Sequence, residues 1–293
     1  MMFQRLALIG CGLMGGSFAL ALRQAGLVAH VAGFSASDNT RRKALALGVI
    51  DSACTSAAQA AEGADLVLVA VPVRATEDTL RAIDPVLAPT ALVMDVGSTK
   101  GDVVAAARAA MQRRLANFVP AHPIAGKEVA GIEHAEATLY RERQLILTPM
   151  PENPAERVQQ ARELWQALGS RVLTLSPEAH DASFAAVSHL PHLTAFALVN
   201  AVARQAQGAE YLSMAGPGFR DFSRIAASDP GVWRDILLAN RDQVLHQSAL
   251  MRDALQEFEA VMRSGDAERL QALIQEASET RSRWRLGGAD SDV

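Results

Sequence analysis

Residues 6–22 read LALIGCGLMGGSFALAL. Four aliphatic residues give way to Gly10, Gly12 and Gly15 in the spacing G-x-G-x-x-G, and an Ala/Leu-rich segment follows at once. Where a strand turns directly into a helix, each glycine has its own task. Gly10 allows the tight turn, Gly12 lets backbone N–H groups approach a pyrophosphate, and Gly15 lets helix and strand pack closely. The positive end of the helix favours the phosphates. Leu13 and Met14, between the second and third glycines, join them as candidate cofactor contacts. The same apolar run superficially resembles a signal-peptide core or a short membrane span. Its glycines would weaken a membrane helix and no small-residue cleavage site follows, so the expectation is a cytoplasmic protein with no membrane partner.

Outward from this stretch, the first 175 residues alternate short aliphatic or β-branched runs with Ala-rich segments, the order of a parallel sheet with crossover helices. Strands are expected at 6–9, 28–34, 66–71, 92–96, 118–120, 144–147 and 171–175, and helices at 16–25, 40–47 and 101–115. After Pro177 the strand signals vanish and long Ala/Leu/Arg/Glu segments run over 178–207, 233–263 and 266–285. The expected fold is therefore an α/β Rossmann-type doubly wound sheet over 1–177, an all-helical substrate and dimerisation domain over 178–286, and a flexible tail over 287–293. The helical part carries more apolar surface than it can bury alone, which points to a homodimer.

The totals exclude some classes of partner. Against 28 basic residues stand 32 acidic ones, for a net charge of -4, and no basic block tracks a phosphate backbone, so nucleic acid is not expected. Cys11 and Cys54 stand in no metal or redox spacing, which suits a reducing compartment.

The end of the second expected strand bears on the choice of dinucleotide. NAD enzymes normally place an acid there to bind the ribose hydroxyls. Here GFSASDNTRR, 33–42, offers Ser35 instead, with Ser37, Asn39, Arg41 and Arg42 supplying donors and positive charge. That chemistry favours NADP, with NAD as the alternative if Asp38 reaches back to the ribose and Arg41 and Arg42 form a solvated helix face. Val71 and Pro72, closing the strand at 66–71, are expected to wall the nicotinamide side.

Two further loops belong to the same carboxyl edge. DVGSTKG, 95–101, presents Ser98, and AHPIAGKE, 121–128, presents His122, Lys127 and Glu128. In the helical half, SHLPH, 188–192, carries His189 and His192, and GFRDFSR, 218–224, carries Arg220 and Arg224. Each has a bland alternative. A Pro-flanked histidine can serve only a turn, and Ser98 can cap a helix. Arg220 and Arg224 can pair with Asp221 and Asp229 on the surface. His189 and His192 lack a third ligand at matching spacing, so no metal is expected. A Ser98/His122/Asp95 hydrolase triad lacks the G-x-S-x-G turn.

Taken in order, GCGLMGGS, DVGSTKG, AHPIAGKE, SHLPH and GFRDFSRIAASDP closely resemble the prephenate/arogenate dehydrogenase family of tyrosine biosynthesis, over nearly the whole chain. The resemblance implies oxidative decarboxylation of prephenate, arogenate or both. It makes His122 the catalytic histidine on the C4 hydroxyl, with Ser98 helping to orient it, and Arg224 the holder of the ring carboxylate. His189, His192, Arg220, Glu128 and Lys127 would line the substrate site. Two departures matter: Lys127 stands where many relatives carry a small hydroxyl residue, and Ser35 replaces the usual acid. The chemistry suits the residue types, because taking a hydride from C4 requires a base to draw off the hydroxyl proton, a task for neutral imidazole.

Two other readings compete. A β-hydroxyacid-type dehydrogenase needs a lysine in its helical half, and the lysines here are Lys43, Lys100 and Lys127. A non-catalytic NADP-binding dimer acting as a sensor would leave His122, Ser98 and Arg224 without a purpose.

Overall fold

The computed structural model describes residues 2–127 and 129–285. Glu128 and the expected tail, 287–293, lie outside the described residues. The chain divides into two compact units, 1–240 and 241–293.

The first unit opens with β1 (Phe3–Ile9), α1 (Leu13–Gln24), β2 (Val28–Phe34), α2 (Asp38–Ala46), β3 (Ser52–Ala53), α3 (Ala57–Ala61), β4 (Leu66–Val69), α4 (Thr76–Ile83), β5 (Leu92–Asp95), α5 (Gly101–Ala110) and β6 (Phe118–Val119). These strands form one parallel sheet in the order β3-β2-β1-β4-β5-β6. The chain reverses direction of travel across the sheet between β1 and β4, which leaves a crevice at their carboxyl ends. Successive side chains of a strand face opposite ways. Leu6, Leu8, Leu66 and Leu68 accordingly join the core on one face, and Ala7, Ile9, Val67 and Val69 the core on the other. With both faces covered, these strands have no polar side. This is the doubly wound Rossmann-type sheet that the glycine turn implied.

The single sheet expected through residue 175 is corrected. Pro120 has no N–H to give to a ladder and ends the pairing of β6. Ala121–Pro123 then begins β7, antiparallel to β8 (Gln144–Leu147), and beyond α6 (Ala155–Ala167) β9 (Arg171–Thr174) joins β8 in parallel. His122, read as a loop residue, is thus the middle of a strand, opposite Ile146. β8 and β9 fall where strands were expected, at 144–147 and 171–175, but a three-residue strand shows no alternation and Pro123 argues against one, so β7, and with it the separation into a second sheet, leaves no mark in the sequence.

From here the unit is helical: α7 (Pro177–Phe184), a π-helical turn over Ala185–His189, α8 (Leu190–Ala203), α9 (Gly208–Ser213), α10 (Pro217–Ser223), a 3-10 turn over Arg224–Ala227, and α11 (Pro230–Ala239). Ser176 starts α7 by accepting the Ala179 N–H at 3.1 Å, with Pro177 at the first helical position. The second unit is α12 (Arg241–Ser264) and α13 (Ala267–Arg283). Gly265, at φ +68°, makes the turn between them, and Asp266 caps α13 through the Arg269 N–H.

Candidate active site

The glycine turn has the shape its spacing requires. Gly10 sits at φ +103°, and a Cβ there would lie 2.1 Å from the Ala70 carbonyl oxygen at the end of β4. A Cβ on Gly15 would lie 2.2 Å from the Gly10 oxygen, so α1 and β1 approach as only glycine permits. Gly12 differs: a Cβ there would meet no heavy atom within 4 Å. The space before α1 is open, no acidic residue stands in its first turn, and no side chain caps it. An open, uncapped helix N-terminus at the switch point fits a dinucleotide pyrophosphate. Met14 is tied down from behind, its carbonyl accepting the buried Tyr140 hydroxyl at 2.6 Å.

Beyond β2, Ser37 caps α2 through the Thr40 N–H at 3.3 Å. Arg41 donates to the Ser35 carbonyl and lies 5.8 Å over the Phe34 ring. Asp38 pairs with Arg41 at 3.1 Å and with Arg42 at 2.7 Å. Val71 is half-buried and Pro72 exposed just past β4.

The chemistry-bearing groups gather around β7. Alternation along that strand buries Ala121 and Pro123 on one side and turns the His122 ring the other way, 4.9 Å from Phe184 and 5.1 Å from His180 on α7. His122 Nδ1 and His180 Nε2 are 2.8 Å apart, and His180 Nδ1 and Asp181 Oδ1 are 2.8 Å apart. Asp181 also accepts the Lys100 and Gly101 N–H groups, both at 2.8 Å, and so caps α5 from across the fold. Lys100, fully buried, pairs with Asp95 and donates to the Ala121 carbonyl at 2.9 Å. Asp95 in turn accepts the Ala121 and Gly97 N–H groups at 2.9 and 2.8 Å. Both Asp95 oxygens are therefore committed to Lys100 and the backbone, which excludes the Ser98/His122/Asp95 triad.

Burial, then the neighbouring charges of His180, Lys100 and His189, holds the His122 pKa well below 6.5, so the ring is neutral at physiological pH. Burial also lowers His180, against the opposing pull of its hydrogen bond to Asp181. For Asp181 burial works upward, but hydrogen bonds from His180, Gly101 and Lys100 outweigh it and leave the carboxylate below its usual range.

The other expected residues fall into two groups. His189 is buried, accepts from the Asn240 amide through Nδ1 at 3.1 Å, and burial pulls it down to about 4. His192 is half-buried, donates Nδ1–H to the Ser188 carbonyl at 3.0 Å, and stacks on Trp233 at 3.5 Å. Arg224 is exposed, and its charge helps to lower His192. His122, His189, His192 and Arg224 thus form one electrostatic neighbourhood. Arg220, by contrast, is exposed and paired with Asp221 at 2.9 Å. Lys127 pairs with Glu136 at 2.8 Å. Ser98 is half-buried at the end of β5, and among the described residues no hydrogen bond joins it to His122. It does not cap α5, because Asp181 does. His180, Asp181, Asn240 and Trp233 escaped the sequence reading; an adjacent His-Asp pair one turn inside a capped helix was the available signal.

The description "Prephenate dehydrogenase, nucleotide-binding domain" matches residues 18–174, and "Prephenate dehydrogenase, dimerization domain" matches residues 176–276. The chain is 34% identical to the cyclohexadienyl dehydrogenase of Zymomonas mobilis over 247 residues, 83% of each chain. It is 35% identical to the prephenate dehydrogenase of Bacillus subtilis over 272 residues, 90% of this chain and 71% of that one. Among solved structures, prephenate dehydrogenase from Aquifex aeolicus in complex with hydroxyphenyl propionate and NAD+ superimposes with a TM-score of 0.90 at 34% identity, covering 95% of this chain and 97% of that one.

Proposed function

The chain belongs to the prephenate dehydrogenase family, and on that premise we propose that His122 draws the proton from the C4 hydroxyl of a carboxylated cyclohexadienol. The enzyme catalyses the nicotinamide-dependent oxidative decarboxylation of prephenate, arogenate or both. Residues 1–177 hold the dinucleotide and 178–286 supply the remaining substrate contacts.

The observation that carries this reading is the neutral His122 ring at the carboxyl edge of the sheet, with Nδ1 engaged by His180 and, among the described residues, no hydrogen bond to Nε2. Gly10, Gly12, Leu13, Met14 and Gly15 cradle the pyrophosphate, and Val71 and Pro72 flank the nicotinamide. A nicotinamide dinucleotide held there would supply the hydride acceptor for C4. His122 Nε2 accepts the hydroxyl proton as the carbonyl forms. The C1–carboxylate bond then breaks, its electron pair aromatises the ring, and His122 returns the proton to the phenolate oxygen. Arg224 positions the departing carboxylate by its guanidinium, and His189 and His192 line the ring. Ser98 orients the hydroxyl from the β5 end, and Lys127 and Arg220 border the side-chain end of the substrate.

NADP is the preferred acceptor in this reading. Ser35 rather than an acid stands directly after β2, Asp38 further on is paired with Arg41 and Arg42, and Arg41 stands beside Ser35. The enzyme is a cytoplasmic homodimer. The match to a dimerization domain supports a homodimer, and so does the 27-residue apolar stretch Pro177–Ala203, much of which is unburied in the single chain. A second copy would cover that face. No lysine follows Lys127, which removes the β-hydroxyacid alternative.

Four parallel assays of near-ultraviolet absorbance, prephenate and arogenate each with NAD and NADP, test the reading. Turnover of at least one substrate, fastest with NADP, is expected; no turnover in any of the four overturns it.

A further inference from the structure

We propose that His180 and Asp181 are positioning residues which fix the tautomer of His122, holding its proton on Nδ1 and leaving Nε2 bare to face the substrate. The inference rests on the reading of His122 as the base and goes one layer behind it.

The argument is one of donors and acceptors. An ionised carboxylate only accepts. Asp181 Oδ1, 2.8 Å from His180 Nδ1, therefore requires the proton on that nitrogen. A neutral imidazole carries one N–H, so His180 Nε2 is an acceptor. His122 Nδ1, 2.8 Å from it, must then be the donor. The one remaining nitrogen, His122 Nε2, carries the lone pair.

The chain of inference needs His180 neutral and Asp181 ionised. The groups around them provide both conditions. Lys100, buried with Asp95, disfavours a second cation at His180 and at His122, and His189 acts on His122 in the same sense. Four donors or partners converge on Asp181: the His180 ring, the Lys100 and Gly101 N–H groups, and, on its backbone carbonyl, the Asn240 amide at 2.7 Å. Its orientation is fixed from every side, and the positive end of α5 stabilises its charge.

No proton has to travel along the relay. When His122 Nε2 takes the hydroxyl proton, the resulting imidazolium keeps its Nδ1–H on the His180 lone pair, and Asp181 polarises His180 to receive that charge. Phe184 closes the remaining side, 4.5 Å from His180 and 4.9 Å from His122, so water does not compete for the bond.

The test combines ring-nitrogen NMR of 15N-histidine-labelled full chain at neutral pH with kinetics. The His122 signals are assigned by their loss in His122→Asn. Wild type is expected to show His122 protonated at Nδ1 and bare at Nε2. His180→Phe, which keeps an aromatic ring against Phe184, is expected to mix the two tautomers and lower kcat by about ten- to a hundredfold, with KM and nucleotide binding unchanged. His180→Gln, whose amide oxygen can accept the Nδ1–H, is expected to restore the tautomer and most of the rate. A wild-type proton on Nε2, or a His180→Phe protein with tautomer and kcat both unaltered, overturns the proposal. The wild-type spectrum decides the tautomer even where His180→Phe fails to fold. It also does so independently of turnover, so a bare Nε2 in a protein that oxidises neither substrate upholds the relay while refuting the assigned reaction.

Discussion

Lys100 and Asp95 form an ion pair with almost no exposure, 0% for the lysine side chain and 3% for the aspartate. Around this pair the end of β5 is bound to the start of β7, because Asp95 accepts the Ala121 N–H and Lys100 donates to the Ala121 carbonyl. The strand that carries His122 is held in place at the residue just before it.

A buried pair broken from one side leaves an uncompensated charge, a loss of about 3–5 kcal/mol, whereas replacing both members with apolar groups costs far less. Lys100→Met is therefore expected to lower stability by that amount, and the double variant Lys100→Met with Asp95→Leu to recover part of it. Urea unfolding of the three proteins measures both. Equal loss in the single and double variants would show that the pair is not the fastening it is taken to be.

Acid should destabilise the fold well above the carboxylate range. His122, His180, His189 and His192 are all held below 6.5, burial being the first cause in each case. The unfolded chain takes up protons at these rings as pH falls through 6.5 while the native chain does not, so stability is unaffected by them above 6.5 and declines below it. For His189 alone the displacement, from 6.5 to about 4, corresponds to about 3 kcal/mol once both states are protonated. Urea midpoints measured from about pH 7 down to about pH 4.5 should fall steadily, and His189→Gln should flatten the slope.

In the proposed reading, cofactor choice turns on Ser35. Ser35→Asp places a carboxylate where the 2′-phosphate of NADP is proposed to lie, and like charges at such range cost at least about 1 kcal/mol even in water. The kcat/KM ratio for NADP over NAD should drop by about tenfold or more. A ratio that does not move would place the ribose away from the end of β2.

Beside the Pro177–Ala203 face, dimerisation is expected to use the apolar stripe of α12. Met251, Leu255 and Met262 are exposed, with Phe258 half-buried among them, at spacings of one helical face. Leu255→Glu combined with Met262→Lys should shift sedimentation from dimer to monomer at micromolar concentration, and a dimer that persists would move the interface elsewhere.

How much of this was legible beforehand follows from the length over which each signal accumulates. The glycine turn announces itself because Gly10 and Gly15 each answer a steric demand that no other residue meets. The strand expected over 28–34 matches β2 to the residue, set between the Gly26 turn and the helix that Ser37 caps. β8 and β9 were readable too, but β7, which makes a second sheet of them, was not, since it has three residues and one is proline. The same limit hid the relay. Periodicity places His180 and Asp181 on a helix, but only packing reveals that the opposite strand brings His122 within 2.8 Å, or that the aspartate caps a helix 80 residues earlier. The ion-pair reading of Arg220 with Asp221 was available from sequence as the bland alternative, and the structure has that pair.

The most direct measurement of the central claim is the turnover of His122→Asn with the better substrate under saturating NADP, alongside nucleotide binding by fluorescence. Asparagine cannot take up the hydroxyl proton, so kcat is expected to fall by about 10²- to 10⁴-fold with nucleotide affinity unchanged. A variant that keeps its kcat within about twofold of wild type would contradict the assignment of His122 as the base.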